Sequence, residues 1–138
     1  LDKDACAAIV FVVHAGSLAY GQAVISVARG TYCKASSGQV FLVSDGGLHH
    51  HLAASGNFGQ VIRKNYPVAI GTRAPDGERE IASVVGPLCT PLDLLADRME
   101  LAVAAEGDLV VVFQSGAYGA SASPQAFLGH PRCLEVLV

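Results

Sequence analysis

Residues 40–47, VFLVSDGG, carry the pattern that determines the fold of this chain, a short apolar run that ends in a tight turn. Val, Phe and Leu suit extended strands, whereas Asp followed by two glycines is a turn signal. The same alternation of short apolar runs and Gly-, Pro- or Asp-containing turns continues through the 138 residues. Short strands between frequent turns are typical of a β-rich barrel or sandwich.

Besides residues 40–44, the sequence predicts six strands, at residues 8–14, 24–28, 68–71, 80–85, 109–113 and 133–138. The run LVVVF at residues 109–113 indicates a strand buried on both faces. Alternation of apolar residues with Glu135 predicts a half-buried last strand. Residues 74–77, APDG, suit a hairpin connection between the strands that flank them. Gly30 is interpreted as a turn signal.

Helical structure is expected in at most one or two short segments. Residues 91–98 contain three leucines and two aspartates within one or two possible helical turns. Residues 47–54 and 59–64 favour neither the helical nor the strand period. The length of the chain allows one domain, over residues 1–138, with a sizeable core.

The composition excludes several classes of function. Half of the residues are hydrophobic (51%), only 15% are charged and the net charge is −3. The chain is therefore a folded domain without the basic surface typical of nucleic-acid or anionic-membrane binding. The longest apolar run, residues 5–13, is too short to cross a bilayer and lacks the flanks of a signal peptide. The scattered cysteines, Cys6, Cys33, Cys89 and Cys133, suggest neither a disulfide framework nor a zinc site, so a reduced, cytoplasmic setting is expected.

Three segments, taken in order, carry a family resemblance. They are residues 43–51 (VSDGGLHHH) with 57–59 (NFG) and 65–67 (NYP); residues 85–93 (VGPLCTPLD); and residues 107–110 (GDLV) with 116–121 (GAYGAS). Over roughly residues 20–138, this pattern resembles the C-terminal domain of fold-type III PLP-dependent decarboxylases, the ornithine/diaminopimelate decarboxylase family. The diaminopimelate-like branch, including enzymes encoded beside polysaccharide-export or exosortase systems, is the most similar. The resemblance implies a mostly β fold, a Greek-key-like β-barrel similar to the alanine racemase C-terminal domain.

The resemblance also implies a division of labour between two domains. In such enzymes pyridoxal 5′-phosphate is bound covalently to a lysine of a TIM barrel, and the β-domain completes the site across a homodimer interface. Cys89 would be the active-site thiol that protonates the carbon left after carbon dioxide departs, a use that suits a tunable proton donor. Asp93 would orient a substrate amine or the loop backbone. Tyr118 would donate its hydroxyl to the cofactor phosphate.

Several positions depart from the family pattern. Thr90 follows the cysteine where diaminopimelate enzymes usually have Glu, and the Arg-Pro that grips a distal carboxylate is missing near Gly56 and Asn57. Residues 1–16 form an atypical N-terminal segment, and we hypothesise that residues 8–14 supply a substitute strand. None of the three lysines stands in a Schiff-base context, so we expect no catalysis and no bound cofactor for this chain alone.

Structural alternatives stand beside these interpretations. Cys89 could be an inert buried thiol, Tyr118 an edge aromatic, and Asp45-Gly46-Gly47 a turn rather than a phosphate-binding nest. Adjacent histidines do not converge on one ion in a strand or a helix, so His49, His50 and His51 are not predicted to bind metal. Three function classes remain open: a decarboxylase domain that needs a TIM-barrel partner, a stand-alone binding or assembly module, and an enzyme acting through Cys89. Self-association, most simply as a dimer, is expected in each case.

Overall fold

A computed structural model describes the backbone of residues 10–13, 24–36, 38–116 and 118–137, and the side chains of residues 38–116 and 119–134. The described residues are mostly strand, with very few helical turns. The strands are β1 (Val10–Val13), β2 (Val24–Ser36), β3 (Gln39–Ser44), β4 (Val68–Ile70), β5 (Arg79–Val85), β6 (Leu94–Ala102), β7 (Leu109–Val112) and β8 (Leu134–Leu137). One α-helical turn, α1 (Tyr118–Ser121), and two 3-10 turns, Leu52–Ser55 and Phe127–Gly129, complete the described elements.

The strands form one sheet with the order β4-β7-β2-β3-β5-β6, and β1 pairs with both β2 and β8. The long strand β2 pairs with β7 through residues 26–29 and with β3 through residues 30–36, with a register shift after Gly30. Strands β3 and β5 run parallel, so that residues 44–47 and 86–88 leave the sheet on the same side. This parallel pair brings the Asp45-Gly46-Gly47 turn next to the loop that contains Cys89.

The two ends of the strand path lie close to each other. In the described residues no backbone ladder joins β4 to β6. Asn65, just before β4, donates to the Asp97 carbonyl of β6 (2.8 Å) and accepts from the Asp97 N–H (3.0 Å). Side-chain hydrogen bonds thus connect the two terminal strands where main-chain pairing is absent.

The core lies between the β3–β5–β6 and β4–β7 parts of the sheet. Its largest fully buried apolar side chains are Leu42, Val84, Leu95, Leu101, Val110 and Val112. These residues come from four different strands, β3, β5, β6 and β7, so burial of their apolar surface stabilises the sheet rather than one hairpin.

Most predicted strands are confirmed with small changes of boundary. Strands β3, β4, β5, β7 and β8 lie where the apolar runs predicted them. β1 confirms a strand at residues 10–13 that pairs within the sheet; the rest of the predicted 8–14 strand lies outside the described residues. None of the helices in the described part of the chain has the length or hydrophobicity needed to span a bilayer.

Four predictions are wrong, and in the first three of them pairing partners far away in sequence override local signals. Residues 91–98 are not helical: they form the end of a loop and the start of β6, which pairs with β5. Gly30 does not end β2, which continues through it to Ser36. The 74–77 turn forms, with Gly77 N–H donating to the Ala74 carbonyl, but it joins β4 and β5, which do not pair with each other. β7 buries one face only, since Leu109 and Phe113 are 37% and 39% exposed.

Candidate functional site

Cys89 is exposed at the tip of the loop that joins β5 to β6. Gly86 N–H donates to the Asp93 carbonyl (3.0 Å) and closes this loop at its base. Inside the loop, Thr90 N–H donates to the Leu88 carbonyl (2.8 Å) and Asp93 N–H to the Thr90 carbonyl (3.1 Å). The backbone is therefore tightly folded while the thiol points outward, which rules out the interpretation of Cys89 as a buried thiol.

The Asp93 side chain anchors the Cys89 loop. Its carboxylate is buried, and its Oδ1 accepts the Leu48 N–H (2.6 Å) while its Oδ2 accepts the Leu88 N–H (2.8 Å). Burial raises the pKa of Asp93, an effect opposed by these two N–H donors and by His130 and His50. Of the two uses predicted for Asp93, the structure supports orientation of the loop backbone, because both oxygens are directed at main-chain groups.

Two glycines make this anchoring possible. A Cβ atom at Gly47 or at Gly86 would overlap the Asp93 carboxylate oxygens, and one at Gly86 would also crowd the Gly47 backbone. The backbones of the 45–47 turn and of the Cys89 loop can therefore approach the same carboxylate only if both positions lack a side chain. Gly47, in the first of the three sequence segments, and Gly86, in the second, are thus both required by the position of the Asp93 carboxylate.

The histidine segment connects the Cys89 loop to the C-terminal part of the chain. His49, His50 and His51 are all buried. His50 Nε2 lies 2.8 Å from the Pro131 carbonyl oxygen, Leu52 N–H donates to Ser123 Oγ (2.9 Å), and Leu48 N–H binds Asp93. Residues 48–52 therefore connect the Cys89 loop to the segment that begins with α1, and we refer to them as the histidine bridge. Sequence reasoning missed this role, although three histidines beside Leu48 and Leu52 were a signal for a packed segment.

The environment keeps these imidazoles neutral. Burial lowers the pKa of His49 to about 4, with further lowering from His50 and His130, and burial lowers the pKa of His51 to about 4. The His49 ring lies against the His50 ring at an interplanar angle of 39°, with 3.7 Å between centroids, and its centroid is 5.1 Å from that of the His130 ring. Within the side chains that the structure describes, no group of three His, Cys, Asp or Glu residues is arranged to hold a metal ion.

Tyr118 is the first residue of α1. This turn begins the segment that the histidine bridge connects to the Cys89 loop, through the hydrogen bond from Leu52 to Ser123. The Tyr118 side chain lies outside the described residues, so its contact with a cofactor phosphate stays a prediction. The following helical turn is fixed by Gln125 Nε2, which donates to the Ala120 carbonyl (2.8 Å), and by Ser123 Oγ, which donates to the Gly119 carbonyl.

An open pocket of about 260 Å³ lies beside the Cys89 loop. Its walls come from the turn at residues 55–57, from Arg63 and from Pro91, Leu92 and Leu94. Asn57 Nδ2 donates to the Leu92 carbonyl (3.2 Å) and joins the two walls. The Arg63 guanidinium donates to the Ser55 carbonyl and, through Nη2, to the Leu94 carbonyl (2.6 Å), and burial lowers its pKa.

The fold and the site define a class of protein: a β-sheet domain that exposes a cysteine on a firmly anchored loop, next to an open pocket that the same loop helps to line. The model of one family, described as pyridoxal-dependent decarboxylase, C-terminal sheet domain, matches residues 11–116. The chain belongs to this family. The match begins within the N-terminal segment and includes β1 from Phe11 onward, so the resemblance extends further towards the N-terminus than residue 20.

Relatives and solved structures agree with this assignment. The chain is 45% identical over 130 residues to L-glutamyl-[BtrI acyl-carrier protein] decarboxylase of Niallia circulans, covering 92% of this chain and 30% of that protein. It is 37% identical over 97 residues to diaminopimelate decarboxylase of Archaeoglobus fulgidus, covering 67% of this chain and 23% of that protein. A crystal structure of an Aquifex aeolicus protein superposes with a TM-score of 0.75 at 25% identity, covering 86% of this chain and 28% of the other. The chain thus spans less than a third of the length of the curated relatives it matches.

Proposed function

We propose that the chain acts as the C-terminal domain of a PLP-dependent amino-acid decarboxylase and completes a cofactor and substrate site at a homodimer interface. The observation that carries the proposal is the exposed Cys89 on a loop whose backbone is fixed by Asp93 and whose Pro91 and Leu92 line an open pocket. Such a loop can hold a reactive side chain in a fixed place without enclosing a ligand by itself. A cytoplasmic location is part of the same proposal.

The proposal includes closure of the sheet into a barrel. The reciprocal hydrogen bonds between Asn65 and Asp97 hold the ends of the strand path together at β4 and β6. Closure protects sheet edges from unwanted pairing. It would leave the loops at one end, including the Cys89 loop, as the surface offered to the cofactor-holding domain.

The described residues fit one wall of a pyridoxal phosphate site better than a complete binding site. The pocket beside the Cys89 loop, at about 260 Å³, is smaller than the roughly 300–1,000 Å³ that small-molecule sites enclose, and it is open. Lys64, the one lysine whose side chain is described, is exposed and does not line this pocket. When bound, the cofactor supplies the electron sink that the loss of carbon dioxide requires. The remaining walls of the site would come from the partner domain.

In this arrangement Cys89 would act as the proton donor to the substrate carbon. When the bond to the departing carboxylate breaks, the electron pair left on the substrate carbon takes a proton from Cys89 Sγ, and the thiolate regains a proton from solvent. Asp93 would act as a positioning residue, because its carboxylate holds the Leu88 N–H next to Cys89 rather than reaching the reacting atoms. Tyr118 would contribute its hydroxyl to the phosphate.

We further propose that the substrate is an α-amino acid presented on a carrier protein, as the name of the Niallia circulans relative states for that enzyme. An acyl group joined to a carrier has no distal carboxylate left to be neutralised. Arg63 is the one cationic residue on the described wall of the pocket, and both of its terminal nitrogens donate to backbone carbonyls. The wall therefore offers little to a second substrate carboxylate, which favours a tethered substrate over a free dicarboxylic one.

The test of the decarboxylase role is a titration with pyridoxal phosphate followed by absorbance and fluorescence. The chain is titrated alone and then mixed with the separately expressed TIM-barrel domain of the Niallia circulans relative. We expect binding in the mixture beyond that of the barrel domain alone, and decarboxylation that falls at least ~100-fold in Cys89→Ala, a typical contribution of a positioned proton donor. Tyr118→Phe should weaken cofactor binding.

The control variant is Cys133→Ala, because Cys133 lies outside the Cys89 loop and outside the pocket. It should leave both cofactor binding and turnover unchanged. If the mixture shows neither additional binding nor turnover, the decarboxylase role is overturned in favour of a binding or assembly module.

A further inference from the structure

His49 is buried in the histidine bridge without a hydrogen-bond partner. Its side chain is 0% exposed, and neither Nδ1 nor Nε2 has a partner among the described residues. The Nε2 atom of His50 faces the Pro131 carbonyl oxygen (2.8 Å), but its buried Nδ1 also lacks a partner in the described part of the chain. Buried polar groups in native proteins are almost always paired, so these imidazole nitrogens point to a role beyond packing.

Three imidazoles meet at this place, and they come from two segments of the chain. The centroid of the His49 ring lies 3.7 Å from that of His50 and 5.1 Å from that of His130. We refer to these three histidines as the imidazole trio, and to residues 118–131 as the C-terminal segment. The trio therefore lies at the contact between the histidine bridge and the C-terminal segment.

The same contact attaches the C-terminal segment to the bridge. Besides the approach of His50 to Pro131, the Leu52 N–H donates to Ser123 Oγ (2.9 Å). Backbone hydrogen bonds inside the segment, such as that from the His130 N–H, have acceptors only a few residues away and hold its turns together. Loss of the contact at the trio would therefore detach the segment from the bridge without opening its turns.

The trio tolerates little positive charge. Neutral imidazoles can share this space, whereas two protonated rings at these distances would repel each other where little water screens them. In the described part of the chain, the other titratable group that faces the trio is the Asp93 carboxylate, which acts on His50 and His130. One carboxylate can offset one protonated ring but not two. The remaining histidine of the bridge, His51, faces the Tyr66 ring instead (5.3 Å between centroids).

We propose that the imidazole trio is an acid-sensitive contact, whose protonation releases the C-terminal segment from the histidine bridge while the sheet stays folded. A local opening of this kind costs less free energy than global unfolding, because it breaks few buried contacts. The Leu52–Ser123 hydrogen bond would break on release, and the pairing of β8 with β1 would remain. Release is a property of the chain itself and does not depend on the proposed function.

The sign of the pH dependence follows from burial. Burial lowers the pKa of His49 from 6.5 to about 4 and also lowers the pKa of His50. Release would expose both rings and return each pKa to its ordinary range, so the released form binds protons that the closed form does not. Release is therefore favoured as pH falls below 6.5. His49 alone should raise the ratio of released to closed chains about 20-fold between pH 7 and pH 5.

Native-state amide exchange followed by NMR tests the proposal. The Leu52 amide reports release, because its acceptor lies across the contact, and the paired amides of β5 and β6 report global unfolding. At pH 5, Leu52 should be at least about tenfold less protected than these strand amides, and low urea should not change its protection, since a local opening exposes little surface. Between pH 7 and pH 5 its protection should fall at least about 20-fold.

Two variants test the trio, and a third is the matched control. His49→Gln removes the buried ring that titrates and should make the fall in Leu52 protection about 20-fold smaller. His130→Gln, at a half-buried position outside the bridge, should also reduce the fall. His51→Gln replaces a buried histidine of the same bridge outside the trio and should leave the Leu52 response within about twofold of that of the unchanged chain. The proposal is overturned if Leu52 exchanges only together with β5 and β6, if its protection stays constant between pH 7 and pH 5, or if His49→Gln responds like His51→Gln.

Release would also move α1, the helical turn whose Tyr118 is assigned to the cofactor phosphate, and this consequence rests on the proposed function. In the mixture with the barrel domain, pyridoxal phosphate should bind more weakly at pH 5 than at pH 7, and His49→Gln should reduce the difference. Absence of complementation at pH 7 would overturn the proposed function and leave the exchange result standing. Release at pH 5 with the same loss of cofactor binding in His49→Gln as in the unchanged chain would overturn only the link to the cofactor.

Discussion

The two segments that border the pocket are built in opposite ways. Residues 86–93 fold around the buried Asp93 carboxylate and expose Cys89 at their tip, while the backbone on both sides is held by hydrogen bonds. We refer to residues 57–64, which border the pocket on the other side, as the rim segment. It is anchored near its ends by Asn57 and Arg63, but between them it exposes Phe58, Val61 and Ile62 to solvent. Residues 86–93 thus bury their central side chain within the chain, whereas residues 57–64 leave their apolar side chains exposed to solvent.

This difference indicates which parts of the site the chain determines by itself. A group that must meet a reacting atom needs a fixed position, and a buried carboxylate that accepts two N–H groups supplies it. A surface that recognises a partner needs exposed apolar area, which contributes little to the stability of the chain alone. Substitutions that disturb only one of the two segments can therefore test this difference.

The largest effect is expected from Asp93→Ala. This change leaves the buried Leu48 and Leu88 N–H groups without their acceptor. It should lower the free energy of unfolding by about 2–6 kcal/mol, since each unsatisfied buried donor costs about 1–3 kcal/mol. Urea denaturation followed by circular dichroism measures the loss. Asp76→Ala, in the exposed turn before β5, is the control and should change stability by less than about 0.5 kcal/mol.

Gly86→Ala tests the same anchor from the backbone side, because its new Cβ would overlap the Asp93 carboxylate. It should destabilise far more than Gly77→Ala, where the nearest atom to the new Cβ is the Ala74 carbonyl oxygen at 3.2 Å in an exposed turn. If Asp93→Ala and Gly86→Ala both cost no more than their controls, the anchored description of the Cys89 loop is wrong.

The anchored segment was only partly predictable from sequence. The resemblance pointed to Cys89 and Asp93 together, but the Leu48 N–H that binds Asp93 comes from 45 residues earlier in the chain. Local patterns carry no information about such a partner. The parallel pairing of β3 with β5 brings the two loops together, and it was not visible in the apolar runs that correctly predicted both strands.

The incorrect helix at residues 91–98 has a similar cause. Its leucines fit helical spacing as well as strand spacing, and pairing with β5 decides between the two. β6 also contains Arg98 at a positive φ of 44°, where its N–H donates to Ser83 Oγ (3.0 Å). This irregularity depends on a serine of the neighbouring strand. The exposure of the rim segment, in contrast, follows from no periodicity, which is why residues 59–64 could not be assigned to either pattern.

An intermediate effect is expected from acidification, through the histidine bridge behind the Cys89 loop. Because the pKa of His49 and of His51 is lowered from 6.5 to about 4, the unfolded chain binds protons that the folded chain does not as pH falls through this window. Stability is therefore fully present above pH 6.5 and is lost towards pH 4. Between pH 7 and pH 5, each histidine should cost roughly 1–2 kcal/mol. Urea denaturation at a series of pH values measures the slope.

The raised pKa of Asp93 contributes with the opposite sign, because its folded carboxyl retains a proton above pH 3.8. A comparison with His51→Gln removes this offset, since only the histidine differs. The variant should show a shallower fall in stability between pH 7 and pH 5 than the unchanged chain. An equal slope in both would show that His51 is not held neutral by burial.

The smallest effect on stability is expected in the rim segment. Val61→Ser and Ile62→Ser replace side chains that are almost entirely exposed, so they bury no less apolar surface in the folded chain and should change the free energy of unfolding by less than about 0.5 kcal/mol. Val110→Ser is the contrasting control: the same chemical change as Val61→Ser in the core should cost several times more, because Val110 is buried. A large loss of stability in Val61→Ser would mean that the rim packs against the chain itself and is not available to a partner. A small loss would show that the fold does not depend on the apolar side chains of the rim segment, in contrast to the buried carboxylate that holds the Cys89 loop.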